Sequence, residues 1–381
     1  MARPRAAIVG VAESDLGRTP DKTVLQLQHQ AATAALADAG LGFDDVDALF
    51  SAGNWAWSPN LMLAEYLGIR PRYTDTTNIG GASFEAHLGH AVAGIEAGLF
   101  EVALVAYGST QRSEGSRGRR GFTFKLTEQF EPVFGLPTPV GAYALAAMRH
   151  MHEYGTTTEQ LAEVAVATRK WATMNEKAMM RDPITIEDVL QSRWVAEPLH
   201  LLDCCLVTDG GGAVVVTTAE RARNTRKAPI WVLGHGEAHT HNSIASMPDL
   251  ATHQAAVSSG RDAFKMAGLT PADINVAEIY DSFTITVVMT LEALGFCGPG
   301  EGGAFVSGQR TAPGGPFPMN TNGGGLSYCH PGMYGIFLLI EATRQLRGEC
   351  GPRQVEGARV ALAHGTGGVL SSGATVILGK D

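Results

Sequence analysis

The chain repeats itself at long range. Residues 35–47 read ALADAGLGFDDVD, and residues 263–275, which begin 228 positions later, read AFKMAGLTPADIN. Each stretch is the end of an amphipathic helix, a glycine stop at Gly40 or Gly268, and a short acidic turn. Each leads into an apolar strand, ALFSAG after the first and VAEIYDSF after the second. A second pair follows in the same order. TNIGGASFEAHLGHAVAGIEAG (77–98) parallels TNGGGLSYCHPGMYGIFLLIEA (321–342), each an Asn, a glycine turn and a helix with apolar i, i+3, i+4 spacing. Buried strands come next, EVALVAYGS (101–109) and RVALAHGTGG (359–368). Repeated similarity in one order marks a duplicated βαβα unit. Strands that alternate with helices predict an α/β chain with parallel, buried sheets. Two such units packed face to face would bury a five-layer αβαβα core.

The halves are expected at residues 1–225 and 226–381. A different region, about 110–200, interrupts the first. It holds helical stretches such as AYALAAMRHMHEYG and TEQLAEVAVATRKWATMN and ends in Pro-rich turns before LLDCCLVTDGGGAVVVTT (201–218) re-enters the core. This insert is expected to cap a site at the strand and helix ends.

With 381 residues the chain is long for one compact core, and 45% apolar against 18% charged residues makes it globular. A net charge of −9 argues against general nucleic-acid affinity. One basic stretch, RSEGSRGRRG (112–121), holds Arg117, Arg119 and Arg120 as candidate contacts to phosphates such as those of a CoA tail, or as a solvated loop. Five cysteines in irregular spacing fit no disulfide framework and no metal knuckle, which predicts a reducing compartment, the cytoplasm, and no metal site. The N-terminal MARPRAAIVGVAES reads as a first strand, and no segment nears the length of a membrane span.

AIVGVAES, the duplicated units, DCCLVTDGGGAVVV, EIYDSF, GGGLSYCHPGMYG and AHGTGG fall in the order shown by the thiolase superfamily, and the chain resembles its sterol-carrier-protein-thiolase branch. The resemblance implies a duplicated five-layer fold, a dimer, and an acyl-CoA bound toward the two domain centres. Three of the four catalytic loops depart from the family pattern. The nucleophilic Cys is replaced in TNIGGASFEA by Gly80 or Gly81, the usual Asn by Tyr280, and the second Cys by His364. Only His330 of the Gly-His-Pro loop is kept, with Cys329 in place of the Gly.

The candidates then sort by chemistry. His330 would donate to a thioester oxygen as charge develops. Tyr280 can donate or take a proton directly. Tyr328 is expected nearby on the loop of His330. His364 titrates near neutrality and would exchange a proton. Asp281 would orient a His or hold its loop, and Asn78 and Asn322 read as structural turn residues. Ser83 reads as a helix cap and Cys329 as a small packed residue.

Without a thiolate, what remains suits a retro-aldol cleavage of a β-hydroxyacyl-CoA, with CoA entering as part of the substrate and no cofactor. Thiolase-like proteins lacking the Cys resemble aldolases that shorten steroid side chains, which implies a separate small partner built from an OB fold and a zinc ribbon. The competing readings are a non-catalytic acyl-CoA or lipid carrier, an acyltransferase using Ser83 or Cys329, and a structural subunit.

Overall fold

A computed structural model describes residues 6–53, 55–114 and 129–380. The expected repeat is visible element by element. In the first half, β1 (Ala6–Glu13) is followed by α1 (Val24–Ala39), β2 (Ala48–Phe50), α2 (Pro59–Leu67), β3 (Tyr73–Asp75), α3 (Ser83–Glu96) and β4 (Val102–Ser109). The insert contributes α4 (Val140–Tyr154), α5 (Thr158–Thr173) and a small β5–β6 hairpin (Trp194–Ala196 and Leu199–His200). Strand β7 (Gly210–Thr218) closes that half. The second half holds β8 (Ile230–His239), α6 (Gln254–Ala267), β9 (Val276–Ile279), α7 (Thr284–Ala293), α8 (Gly335–Arg347), β10 (Val360–Gly367) and β11 (Ser372–Gly379). Helices α1 and α6 both end on a left-handed glycine, Gly40 (φ 74°) and Gly268 (φ 65°). Only glycine takes that conformation without a Cβ penalty, so the repeated AGL motif stops both helices at matching points.

The strands run in the order β3-β2-β4-β7-β1-β8-β11-β10-β9, the second half mirroring the first. A parallel bridge from Ala277 to Met319 stands beside β9 where β3 stands beside β2. The expectation of parallel sheets needs correction. β2 pairs in parallel with β3 and β4, and β9 with β10, but β7, β1, β8 and β11 run antiparallel to their neighbours. For β11 the cause is connection length: it returns from β10 through a few residues, too few for the crossover that a parallel pair needs.

Helices α3 and α8 lie between the two half-sheets and share one core with Ile8, Val105, Val214, Val376 and Leu378. Helix α1 covers the outer face of the first half with Leu36 on Val9, Leu104 and Val215. On the other side, α6 and α7 join α4 and α5 in a core around Phe264, Val288, Leu161 and Leu362. The result is the five-layer αβαβα arrangement. Strands buried on both faces explain why they read as continuous apolar runs. Among the described residues no helix is long and apolar enough to cross a membrane.

Candidate active site

Four loops meet at the N-terminal ends of α3 and α8. They are Gly80–Gly81 before α3, Tyr280–Phe283 after β9, Asn320–Tyr334 before α8, and the end of β10 at His364–Gly367. Tyr280 is tied down at both ends. Its backbone N–H donates to the carbonyl of His364 at 3.0 Å, and its phenol lies 2.9 Å from His330 Nε2. The same phenol oxygen accepts the backbone N–H of Tyr334 at 3.1 Å. Burial holds the Tyr280 phenol well above its ordinary pKa and pushes His330 down to about 4. At neutral pH the pair is therefore a phenol and a neutral imidazole, with the imidazole free to accept the phenol's proton.

His330 is fixed by its backbone. Its N–H donates to Thr208 Oγ1 (3.1 Å) and its carbonyl accepts the Thr208 N–H (3.1 Å). The next turn is clasped by Tyr107, whose hydroxyl donates to the Pro331 carbonyl at 2.5 Å and accepts the Met333 N–H at 3.1 Å. Asp281 serves the neighbouring turn. Its carboxyl accepts the N–H groups of Gly325 (2.6 Å) and Leu326 (3.2 Å), and burial raises its pKa to about 7. Of the two expectations for Asp281, holding the loop is the one its hydrogen bonds fit.

Gly80 and Gly81 stand where the thiolase nucleophile would be. A Cβ on Gly81 would lie 2.2 Å from Tyr280 Cε2 and 2.5 Å from the Thr366 carbonyl oxygen. A Cβ on Gly80 would lie 2.8 Å from the Gly368 nitrogen, and Gly80 itself has φ +72°. Both positions are closed to a side chain, by the Tyr280 ring and by the backbone of 366–368. The missing Cys and the added phenol are thus one change in shape.

The other thiols are no replacement. Cys329 is fully buried, and burial, with Glu13 and Asp281 nearby, raises its pKa well above the ordinary value. Burial raises Cys205 too, and Asp281 adds to it. Both are held as thiols rather than nucleophilic thiolates. Ser83 Oγ donates to the Gly80 carbonyl (2.8 Å) and accepts the Ile79 N–H (3.0 Å), so it closes the turn at the start of α3.

Two expectations change. Tyr328 does not face His330: its hydroxyl donates to Glu13 Oε1 at 2.9 Å. Glu13 is a buried carboxylate paired with Arg344, its Oε2 2.6 Å from Nη2, and this charge-assisted acceptor draws the phenol toward β1. The imidazole of His364 also lies elsewhere. Its Nδ1 pairs with Thr375 Oγ1 at 2.8 Å, and its ring sits edge-on to His253, with centroids 5.6 Å apart. Thr375 in turn bonds Ser259 of α6, so the ring lies toward the outer layer, and burial followed by the nearby His253 lowers its pKa well below normal. Only the His364 backbone reaches Tyr280. Arg117, Arg119 and Arg120 lie outside the described residues. The root of their segment is fixed, because the N–H groups of Arg112 and Ser113 donate to Asp209 Oδ1 (2.8 and 2.9 Å), next to Thr208.

The sequence reading missed Tyr334. Its ring stacks on His330 (6.1 Å, 19° between planes), meets Tyr280 edge-on (5.8 Å, 85°), and its hydroxyl donates to Asn322 Oδ1 at 2.9 Å. No periodic signal marks it: residues 330–334 form the loop before α8, with Gly332 at φ +102°, so the turn of that loop and not a helix face brings Tyr334 onto His330. The insert reaches the same loops. Tyr143 donates to the Gly368 carbonyl (2.9 Å), Arg169 Nε to Ser327 Oγ (2.8 Å), and Asn175 Nδ2 to the Asn322 carbonyl (2.8 Å).

Known proteins share this architecture. Residues 236–380 match the family described as Thiolase C-terminal domain-like. The chain is 37% identical to the 17-hydroxy-3-oxo-4-pregnene-20-carboxyl-CoA lyase of Mycobacterium tuberculosis, covering 100% of both chains. It is 33% identical to an acetyl-CoA acetyltransferase of Methanothermobacter thermautotrophicus, covering 98% of this chain and 99% of that one. The solved structure of the Ltp2-ChsH2(DUF35) aldolase superposes with a TM-score of 0.91 at 34% identity, covering 99% of this chain and 98% of that chain. The chain belongs to the thiolase superfamily, in its sterol-carrier-protein-thiolase-like branch that includes the steroid side-chain aldolases.

Proposed function

We propose that this chain is a carbon–carbon lyase that cleaves a β-hydroxyacyl-CoA by a retro-aldol reaction. The observation that carries the reading is Tyr280: its ring fills the space of the lost nucleophile and its phenol is paired to a neutral His330. The substrate's β-hydroxyl gives its proton to Tyr280 Oη as Tyr280 passes its own to His330 Nε2. The oxygen's electron pair forms the ketone carbonyl while the Cα–Cβ bond breaks. The bonding pair moves into the thioester as an enolate, beside the newly cationic imidazole. The relay then reverses, and Cα takes the proton back through Tyr280. No net proton is exchanged and no acyl-enzyme forms. A phenol with a raised pKa is a poor base alone, so the imidazole behind it is what makes the step feasible.

The name of the mycobacterial relative supports a steroid side-chain CoA thioester as the substrate class. The aldolase structure it resembles supports a small DUF35-type partner, to be added to a homodimeric core. Arg117, Arg119 and Arg120 are assigned to the CoA phosphates on sequence grounds. Similarity to the acetyltransferase favours an acyl-transfer reading, but the steric closure of Gly80 and Gly81 opposes it.

The test is to offer the protein, with and without such a partner, a tertiary β-hydroxyacyl-CoA in the absence of free CoA. Mass spectrometry of small molecules and of the intact protein reads the outcome. A ketone, a shorter acyl-CoA and an unmodified protein are expected. An acyl adduct on the protein would establish acyl transfer, and tight retention of uncleaved thioester by both preparations would establish a carrier.

A further inference from the structure

Two buried carboxyls lie behind the loop that holds Tyr334. Glu278, on β9 two residues before Tyr280, is 0% exposed, and Glu341, on α8, is 1% exposed. The hydroxyl of Thr321 stands between them, 2.9 Å from Glu278 Oε1 and 2.7 Å from Glu341 Oε1. Counting hydrogens fixes their protonation. Gln345 Nε2 donates to the Arg353 carbonyl (2.9 Å), while Gln345 Oε1 accepts the Val355 N–H (2.9 Å), so its amide orientation is set. That same Nε2 lies 2.9 Å from Thr321 Oγ1, which must accept from it. The hydroxyl then has one hydrogen for two carboxyl oxygens. Glu341 takes it as the anion, because Arg353 pairs with both its oxygens at 2.9 and 3.0 Å. The contact to Glu278 needs a hydrogen of its own, and only Glu278 can supply it. Glu278 Oε1 also lies 3.3 Å from the Thr321 N–H, a long contact that the hydroxyl oxygen of an acid can accept, while Oε2 is buried without a partner, less costly for the carbonyl oxygen of an acid than for a carboxylate.

We propose that Glu278 is held as a neutral carboxylic acid that donates to Thr321, and that it is a positioning residue for the site. The chain Glu278–Thr321–Glu341 pins residue 321 between two asparagines that serve the site. Asn320 Oδ1 accepts the Ile279 N–H (2.8 Å), and Asn322 Oδ1 accepts the Tyr334 hydroxyl (2.9 Å) and the Gly324 N–H (2.8 Å). The charged and titratable groups around the pair are Glu341, Arg353, Cys350, Arg344 and Tyr334. Arg353 balances the negative charge of Glu341. A second negative charge at Glu278 would be uncompensated and would oppose ionisation of Tyr334. Its bearing on Tyr334 rests on the proposed lyase site, but the protonation of Glu278 does not, so the test reads protonation directly.

An acid kept neutral by folding stabilises the fold fully below the unfolded carboxyl pKa, about 4.3, and that stability is lost as pH rises. Glu278→Gln keeps shape and donor but cannot ionise. Its melting temperature relative to wild type is expected to climb by at least about 2 °C from about pH 5 to about pH 9, and one protonated-carboxyl absorption should vanish from the infrared spectrum at neutral pH. Glu85 and Asp281, whose pKa values burial also raises, are common to both proteins and cancel in the difference. Should the amide variant fail to fold, Glu278→Met, which also cannot ionise, should show the same rising difference. A flat or falling difference, or an unchanged infrared spectrum, overturns the proposal.

Discussion

Tyr280 and His330 form a pair in which each residue depends on the other. Replacing Tyr280 by Phe removes the relay while keeping the ring that fills the space beside Gly81. Turnover should fall by about a hundredfold or more, the typical weight of a general acid–base group, and the loss of the hydrogen bonds to His330 and to the Tyr334 N–H should cost about 1–3 kcal/mol in denaturant unfolding. Tyr328→Phe should behave in the opposite way. It loses one hydrogen bond to Glu13, costing about 1 kcal/mol in denaturant unfolding, and leaves turnover near wild type. The pH profile of kcat/KM reports the free enzyme. Because burial holds His330 at about 4, its neutral form persists through mildly acid solution, and activity should fall only as pH approaches that value. An acid limb centred near 6.5, the ordinary histidine value, would contradict the burial argument. His330 and Tyr280 were expected in one site because both fall on loops of the thiolase pattern that the sequence resembles, and the structure brings their side chains together. Tyr328 misled because proximity in sequence does not say where a side chain points, and the buried carboxylate that captures it lies 315 residues away.

At the scale of elements, the glycine turns before α3 and α8 bring four loops within hydrogen-bonding reach. Gly81 is the tightest of these junctions. Gly81→Cys restores the residue type the family uses, yet its Cβ has no room beside Tyr280 Cε2 and the Thr366 carbonyl. It should abolish cleavage without forming an acyl-enzyme on added acyl-CoA, read by intact-protein mass spectrometry. At the other end of α8 from Tyr334, Glu13 ties β1 to the helix through Arg344 in its last turn. Arg344→Met leaves Glu13 buried without its main partner and should cost about 3–5 kcal/mol in denaturant unfolding. The duplicated helices and strands were legible because helix stops and apolar runs are local signals. Strand direction was less so: β7 and β11 run antiparallel for reasons of connection length and long-range pairing that periodicity does not encode.

Across the whole molecule, both halves share the core around α3 and α8, and the β1–β8 ladder joins their sheets. Calorimetry should show the described core melting as one transition rather than as two half-molecule transitions. The central claim, that this thiolase fold breaks a carbon–carbon bond through Tyr280 and His330 without an acyl-enzyme, is tested most directly in heavy water with no free CoA. A tertiary β-hydroxyacyl-CoA should yield a ketone and a shorter acyl-CoA bearing one deuterium at Cα, and the Tyr280→Phe protein should form little of either. Cleavage that requires added CoA, or that proceeds at the wild-type rate in Tyr280→Phe, would contradict it.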